Sequence, residues 1–333
     1  MGLDSDLTIK LDKFDRGAVK QSTININKQL ESAPSSAIKW WKVGAPAYRQ
    51  MKELGENGFS KPVEHPSASD FEIPSRQSGR MIPCRLVRPD NIQFTGIYMH
   101  MHAGGWVYNT HRSQDHYLSS LARQASMLVV SVGYRLAPEH TFPCGPEDCY
   151  DVAEWLVDEA VKNFSVPLRV VAGESAGAHL AVFTLIHLLS SRPAFKLSGL
   201  VANCGIYDLT LLPQVNLFKR PKLVLDGEAM KQFTDAFLPE IPADQRKRPD
   251  ISPLYIDFDG LELPPALFTC GTEDCLLDDT LFMSLKWRRT GTKTCVKLYP
   301  GGCHAFQLLE PISDELATIA MSDLSHFLNE KLR

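Results

Sequence analysis

With 333 residues, 44% hydrophobic and 22% charged, the chain has an ordinary globular balance and enough length to bury a sizeable core. A net charge of −4 and the lack of a long Lys/Arg run exclude nucleic acid as a partner, and Arg246-Lys247-Arg248 reads as a solvated loop among Pro and Asp. No run of about 18 apolar residues exists, which excludes a membrane span and stable membrane insertion. Residues 1–10 carry Asp4, Asp6 and Lys10 in place of the apolar core of a secretory signal, and Asp6 spoils the myristoylation motif that Gly2 opens. The eight cysteines are scattered, with Cys144/Cys149 and Cys270/Cys275 five apart, so they read as reduced thiols of a cytoplasmic protein.

In chain order, spaced apolar positions predict helices over residues 12–30 and 37–54, the second punctuated by Pro46. Residues 71–73 and 81–87 read as antiparallel strands. An alternation follows. Strands are expected over 94–101, 127–132, 168–172, 197–204, 265–270 and 295–299. Helices are expected over 111–124, 147–163, 176–189, 277–289 and 312–332. Strands alternating with helices predict an α/β fold with a mostly parallel central sheet and helices on both faces. Residues 210–253 interrupt this pattern with Leu211, Leu212, Phe218, Phe233 and Phe237, and are long enough to carry helices of their own. The expected organisation is an amino-terminal helical cap segment (1–60), a first core part (61–209), a cap insertion (210–253) and a second core part (254–333).

Gly173-Glu174-Ser175-Ala176-Gly177 stands between an expected strand and an expected helix. A sharp strand-to-helix turn exposes a serine hydroxyl, and small neighbours let the turn close. The helix that follows points its N-terminus at any oxyanion formed there. After the 94–101 strand comes His102-Ala103-Gly104-Gly105-Trp106, where a glycine pair can turn backbone N–H groups toward one point.

Together with Tyr134-Arg135-Leu136-Ala137-Pro138-Glu139-His140, Asp274-Cys275-Leu276 and Gly301-Gly302-Cys303-His304-Ala305-Phe306, these segments resemble the hormone-sensitive-lipase-like esterases of the α/β-hydrolase fold. The motifs occur in that family's order over roughly residues 95–310. The resemblance implies a helical cap, no cofactor, and a triad of Ser175, Asp274 and His304. It places the oxyanion donors at Gly104, Gly105 and Ala176, with His102 and His140 bracing the oxyanion loop. Ala103 and Glu174 replace residues more usual there, and Ala103 would be strained if its position required positive φ.

A serine hydroxyl needs a neutral imidazole to take its proton, and the imidazole needs an acid to orient it. His179, one helical turn after Ser175, is the rival base, expected instead to pack into the helix. Asp278 and Asp279 are the rival acids. His100 and His102 form a His-x-His with no carboxylate nearby in sequence, so no metal is expected. Trp40 and Trp41 are expected to roof the substrate pocket, with ordinary helix packing as the alternative, and Trp106 to narrow it. Cys303 and Cys275 abut His304 and Asp274, so bulky thiol reagents are expected to interfere unless both thiols are buried and inert. The expected activity is hydrolysis of a small hydrophobic ester of short to medium acyl chain. An amidase or deacetylase, an acyltransferase and a non-catalytic receptor are the alternatives, and a homodimer is the assembly left open.

Overall fold

The computed structural model describes residues 9–220, 223–309 and 315–331. The amino-terminal stretch forms short pieces: 3-10 turns at Leu11–Phe14 and Arg16–Ala18, helix α1 (Gln21–Ser32), a 3-10 turn at Pro34–Ala37, α2 (Trp40–Val43) and α3 (Ala45–Leu54). The two long helices expected here are therefore broken. Asp15 turns back to accept from Gly17 N, and Gly44, at φ +88°, ends α2 and begins α3.

The remaining elements are β1 (Ala68–Pro74), β2 (Met81–Val87), β3 (Ile97–Met101), α4 (Asp115–Ala125), β4 (Leu128–Val132), α5 (Cys144–Phe164), β5 (Leu168–Glu174), α6 (Ala176–Ser191), β6 (Gly199–Asn203), α7 (Pro213–Leu217), α8 (Gly227–Phe237), β7 (Ala266–Glu273), α9 (Leu277–Arg288), β8 (Thr294–Cys303) and α10 (Glu315–Lys331). Residues 312–314 and 332, which the closing helix was expected to include, lie outside the described residues. Among the described residues the strands form one eight-stranded sheet of order β1-β2-β4-β3-β5-β6-β7-β8. The β1–β2 and β2–β4 pairs are antiparallel and all others parallel.

Alternation along the strands assigns the two faces. Ile97, Met99, Val130, Val171, Ala202 and Phe268 join one apolar cluster with residues of α5, α6 and α9. Tyr98, Val129, Val170, Ala172, Val201 and Leu267 join another with residues of α4 and α10. Both faces are buried, so the central strands are continuous apolar runs in sequence. No helix among the described residues is long and apolar enough to cross a membrane.

From β3 the chain runs through α4 out to β4, then returns past β3 through α5 to β5. The winding therefore reverses between β3 and β5, whose carboxyl ends open a crevice, the usual ligand position in such sheets. The insertion lies against it. Phe237 of α8 stacks on Trp106 at 4.6 Å and its carbonyl accepts from Phe142 N at 3.0 Å. Arg49 of α3 donates to Val107 O and Ala137 O, both at 2.7 Å.

Candidate active site

Ser175 is the hinge between β5 and α6 and holds φ 57°, ψ −119°, a conformation that an ordinary turn avoids. Its N–H donates to Asn203 O at 2.9 Å, tying the turn to β6. Gly177 lets α6 start this close to β3, since a Cβ there would collide with Met101 O.

The register of β7 and β8 pairs Glu273 with Cys303, so the next residues of each strand, Asp274 and His304, emerge side by side. His304 Nδ1 lies 2.9 Å from Asp274 Oδ2, and its Nε2 lies 2.9 Å from Ser175 Oγ. Asp274 Oδ1 also accepts from Leu276 N at 2.9 Å, which fixes the carboxylate. All three residues are buried. An imidazole so placed can take the serine proton through Nε2 while Nδ1–H donates to the carboxylate. Burial pulls the His304 imidazole down, but the adjacent Asp274 carboxylate outweighs it and the net direction is upward. Cys204 lies beside them. Burial raises its thiol above the ordinary range, and its place beside the imidazole adds to the upward push on His304. Cys204, Asp274 and His304 bring potential metal-ligand atoms within 4.8 Å of one another, the one such set among the described residues. The hydrogen-bond chain to Ser175 already accounts for the Asp274 and His304 positions.

The rival residues face elsewhere. His179 Nε2 donates to Ile251 O at 2.9 Å, and burial pulls its imidazole down to about 4. Asp279 accepts from Tyr207 N and Asp208 N, and burial pushes its carboxyl up to about 7. Glu273, the last residue of β7, is taken up by Arg220.

Positive φ falls on Gly104 (127°), Gly105 (59°) and Trp106 (61°), and not on Ala103, so the strain considered for that alanine does not arise. Gly104 is required by contact as well: a Cβ would collide with Tyr108 O. Among the described residues the backbone N–H groups of Gly104, Gly105 and Ala176 find no protein acceptor. Buried N–H groups are rarely left so, and three beside one serine hydroxyl can serve an anionic oxygen. His102 Nδ1 donates to Ala103 O at 2.8 Å, its ring stacks on Tyr134 at 4.2 Å, and Tyr134 Oη donates to His102 O at 2.7 Å. Burial pulls His102 down to about 3, keeping it neutral. His140 does not share this task. Its side chain is exposed and makes no hydrogen bond among the described residues; Tyr134 and the Ala137 N–Trp106 O bond (2.8 Å) brace the turn instead. Glu174 accepts from His100 Nε2 (2.8 Å) and Gln114 Nε2 (3.1 Å), a satisfied buried carboxylate behind the turn. His100 and His102 thus turn to different partners and do not converge.

Ser175, His304, Gly104, Gly105, Trp106 and Ala176 share a cavity of about 200 Å³. A second cavity, of about 210 Å³, lies between Leu185 and Pro265 at the amino ends of β6 and β7, with no nucleophile in its lining. Trp40 and Trp41 do not line the site, contrary to expectation. Because the helix breaks at Gly44, Trp40 packs behind Phe233, stacked at 5.5 Å, and Trp41 packs edge-on against Trp40 at 5.9 Å. Phe233 and Met230 of α8, with Ile206, Leu225, Leu308 and Leu309, supply the apolar wall instead. A sequence signal for α8 existed: Asp226 caps it, and Met230, Phe233 and Phe237 follow helical spacing.

The thiol expectation also changes. Cys275 and Cys303 are fully buried, and burial raises the first well above an ordinary thiol and the second to about 12. A bulky maleimide should therefore react only at the partly exposed Cys144 and Cys295 and leave activity unchanged. Intact-protein and peptide mass spectra check this; an adduct at Cys303 with lost activity would contradict it.

A family profile described as alpha/beta hydrolase fold matches residues 98–308. An esterase of Acinetobacter venetianus is 31% identical over 267 residues, 77% of this chain and 84% of that protein. An ethyl acetate hydrolase of Pseudomonas putida is 29% identical over 81% of this chain and 85% of that protein. Among solved structures, an esterase from Pyrobaculum calidifontis superposes with a TM-score of 0.76 at 27% identity, covering 94% of this chain and 98% of that one. The fold and the relatives define an esterase-type α/β hydrolase. The chain belongs to the α/β-hydrolase family, in its hormone-sensitive-lipase-like branch.

Proposed function

We propose that the protein is a serine carboxylesterase for short- to medium-chain acyl esters, acting through an acyl-enzyme on Ser175. The observation that carries this reading is the hydrogen-bond chain Asp274–His304–Ser175, opening into a cavity beside three backbone N–H groups without protein acceptors among the described residues. Ser175 Oγ attacks the ester carbonyl as His304 Nε2 takes its proton. The N–H groups of Gly104, Gly105 and Ala176 hold the tetrahedral oxyanion, and the first turn of α6 adds its dipole. Losing one donor of such a hole typically costs about 100- to 1000-fold. His304 then protonates the leaving alcohol, activates water, and the acyl group departs as the acid. Asp274 orients the imidazole and stabilises its cation. No step in this sequence calls for a cofactor.

Residues 1–60 and 210–253 serve as the cap, a reading supported by the packing of Trp40 and α8 over the site. A homodimer and a cytoplasmic location complete the proposal; light scattering tests the first and cell fractionation the second.

The acyl preference follows from volume. A cavity of about 200 Å³ is smaller than the roughly 300–1,000 Å³ typical of drug-sized ligands, and Phe233, Met230 and Trp106 wall it. In a p-nitrophenyl ester series from acetate to palmitate, kcat/KM should peak between roughly two and six carbons. A maximum at about twelve carbons or beyond, or a rate jump above the solubility limit, would indicate a lipase acting at an interface.

A further inference from the structure

Among the described residues the wall of the Ser175 cavity is apolar or neutral except at His304 and Lys52. The position of Lys52 is set by a pinned helix. Arg49 of α3 is bonded to Val107 O and Ala137 O and paired with Glu139 at 2.8 Å. Lys52, one turn further along the same face, therefore arrives beside the oxyanion turn. Its ammonium lies 5.2 Å from the centroid of Tyr108 and 5.4 Å from that of Phe59. Tyr48 closes the group, 5.1 Å from each of those rings. Tyr108 N donates to Gly104 O at 3.1 Å, so this aromatic seat is continuous with the turn carrying the free N–H groups.

Among the described residues the seat holds no anion. Buried Arg85 and Arg246, and Arg135, half-buried like Lys52, are matched by Asp115, Asp235 and Asp148. Among the described residues Lys52 has no carboxylate partner and no Asp or Glu lines the cavity. Desolvation holds its ammonium below the ordinary lysine range, the sign of a charge whose lost hydration is not repaid by a counter-ion. Contact with ring faces recovers part of that loss. A methionine would fill the same aromatic seat without it.

We infer that Lys52 is an anion subsite of the Ser175 cavity, and that the preferred substrates are esters carrying a second, ionised carboxylate. The inference rests on the esterase reading above and narrows its substrate class. The carboxylate pairs with Lys52 while the ester carbonyl sits at Ser175, so the subsite acts on substrate binding more than on the chemical step.

Two matched pairs test it: monomethyl against dimethyl glutarate, followed by methanol release, and acetoxyacetate against methyl acetoxyacetate, followed by acetate release. The first places the charge on the acyl side and the second on the alcohol side. For at least one pair the anionic-to-neutral ratio of kcat/KM should fall about tenfold or more in Lys52→Met, mostly through KM, and be kept in Lys52→Arg. Ratios equal in wild type and Lys52→Met for both pairs would overturn the subsite. Calorimetric titration of monomethyl glutarate into Ser175→Ala, with and without Lys52→Met, reads binding without turnover. Binding that depends on Lys52 in a protein that hydrolyses no neutral ester would leave the subsite standing and remove the esterase reading. Hydrolysis of neutral esters with no Lys52-dependent binding would do the reverse.

Discussion

Ser175→Ala should remove p-nitrophenyl acetate hydrolysis by about a million-fold, the usual cost of losing the nucleophile of a serine triad, and leave the fold intact. Among the described residues the hydroxyl has one partner, His304 Nε2, and the side chain packs at a turn whose backbone is held independently by Ser175 N to Asn203 O and by the close approach of Gly177 to Met101. Alanine fits that space, so the melting temperature should stay within a few degrees of wild type. Activity within about tenfold of wild type would show that another nucleophile acts.

His304→Ala should be nearly as damaging, whereas His179→Ala should be felt mainly in stability. His179 packs edge-on against Trp106 (5.1 Å) and Phe183 (4.8 Å), and its bond goes to a backbone carbonyl away from the serine. Removing it opens a core cavity, at a cost of about 2–4 kcal/mol, without removing a proton acceptor. The reverse ranking of activities would assign the base to His179. The pH profile distinguishes the two residues further. Only the neutral His304 imidazole can accept the serine proton, and the Asp274 carboxylate stabilises its cation. Activity should therefore rise with pH through an acid limb lying above 6.5, the ordinary histidine value. Asp274→Asn removes the stabilising charge, so the limb should move to lower pH while kcat falls about 10⁴-fold. A limb that stays in place in Asp274→Asn would separate Asp274 from the titrating group.

The central sheet was legible because its strands are buried on both faces. Runs such as Val129-Val130 and Val170-Val171-Ala172 are continuous and bounded by turn residues. The residues singled out after β5, β7 and β8 lie together because parallel strands deliver their carboxyl ends to one edge, a topological consequence of strand order. The walls of the site were not legible. Whether Trp40 or Phe233 faces the cavity depends on the break at Gly44 and on the docking of α8, contacts spanning nearly two hundred positions. His140 sits in a motif that matched in sequence, yet the side chain that braces the turn is Tyr134 of the same segment. Lys52 carried no motif at all; its place follows from the anchoring of Arg49 to backbone carbonyls, which no local pattern encodes.

In the proposed mechanism one serine, Ser175, is acylated during ester hydrolysis. A fluorophosphonate, which traps an activated serine as a stable phosphonyl ester, tests this most directly when followed by intact mass and peptide mapping alongside residual p-nitrophenyl acetate activity. One adduct per chain is expected, on Ser175, formed in step with the loss of activity and absent from Ser175→Ala and His304→Ala. Complete labelling with activity retained, or inactivation with the adduct on another residue, would contradict it.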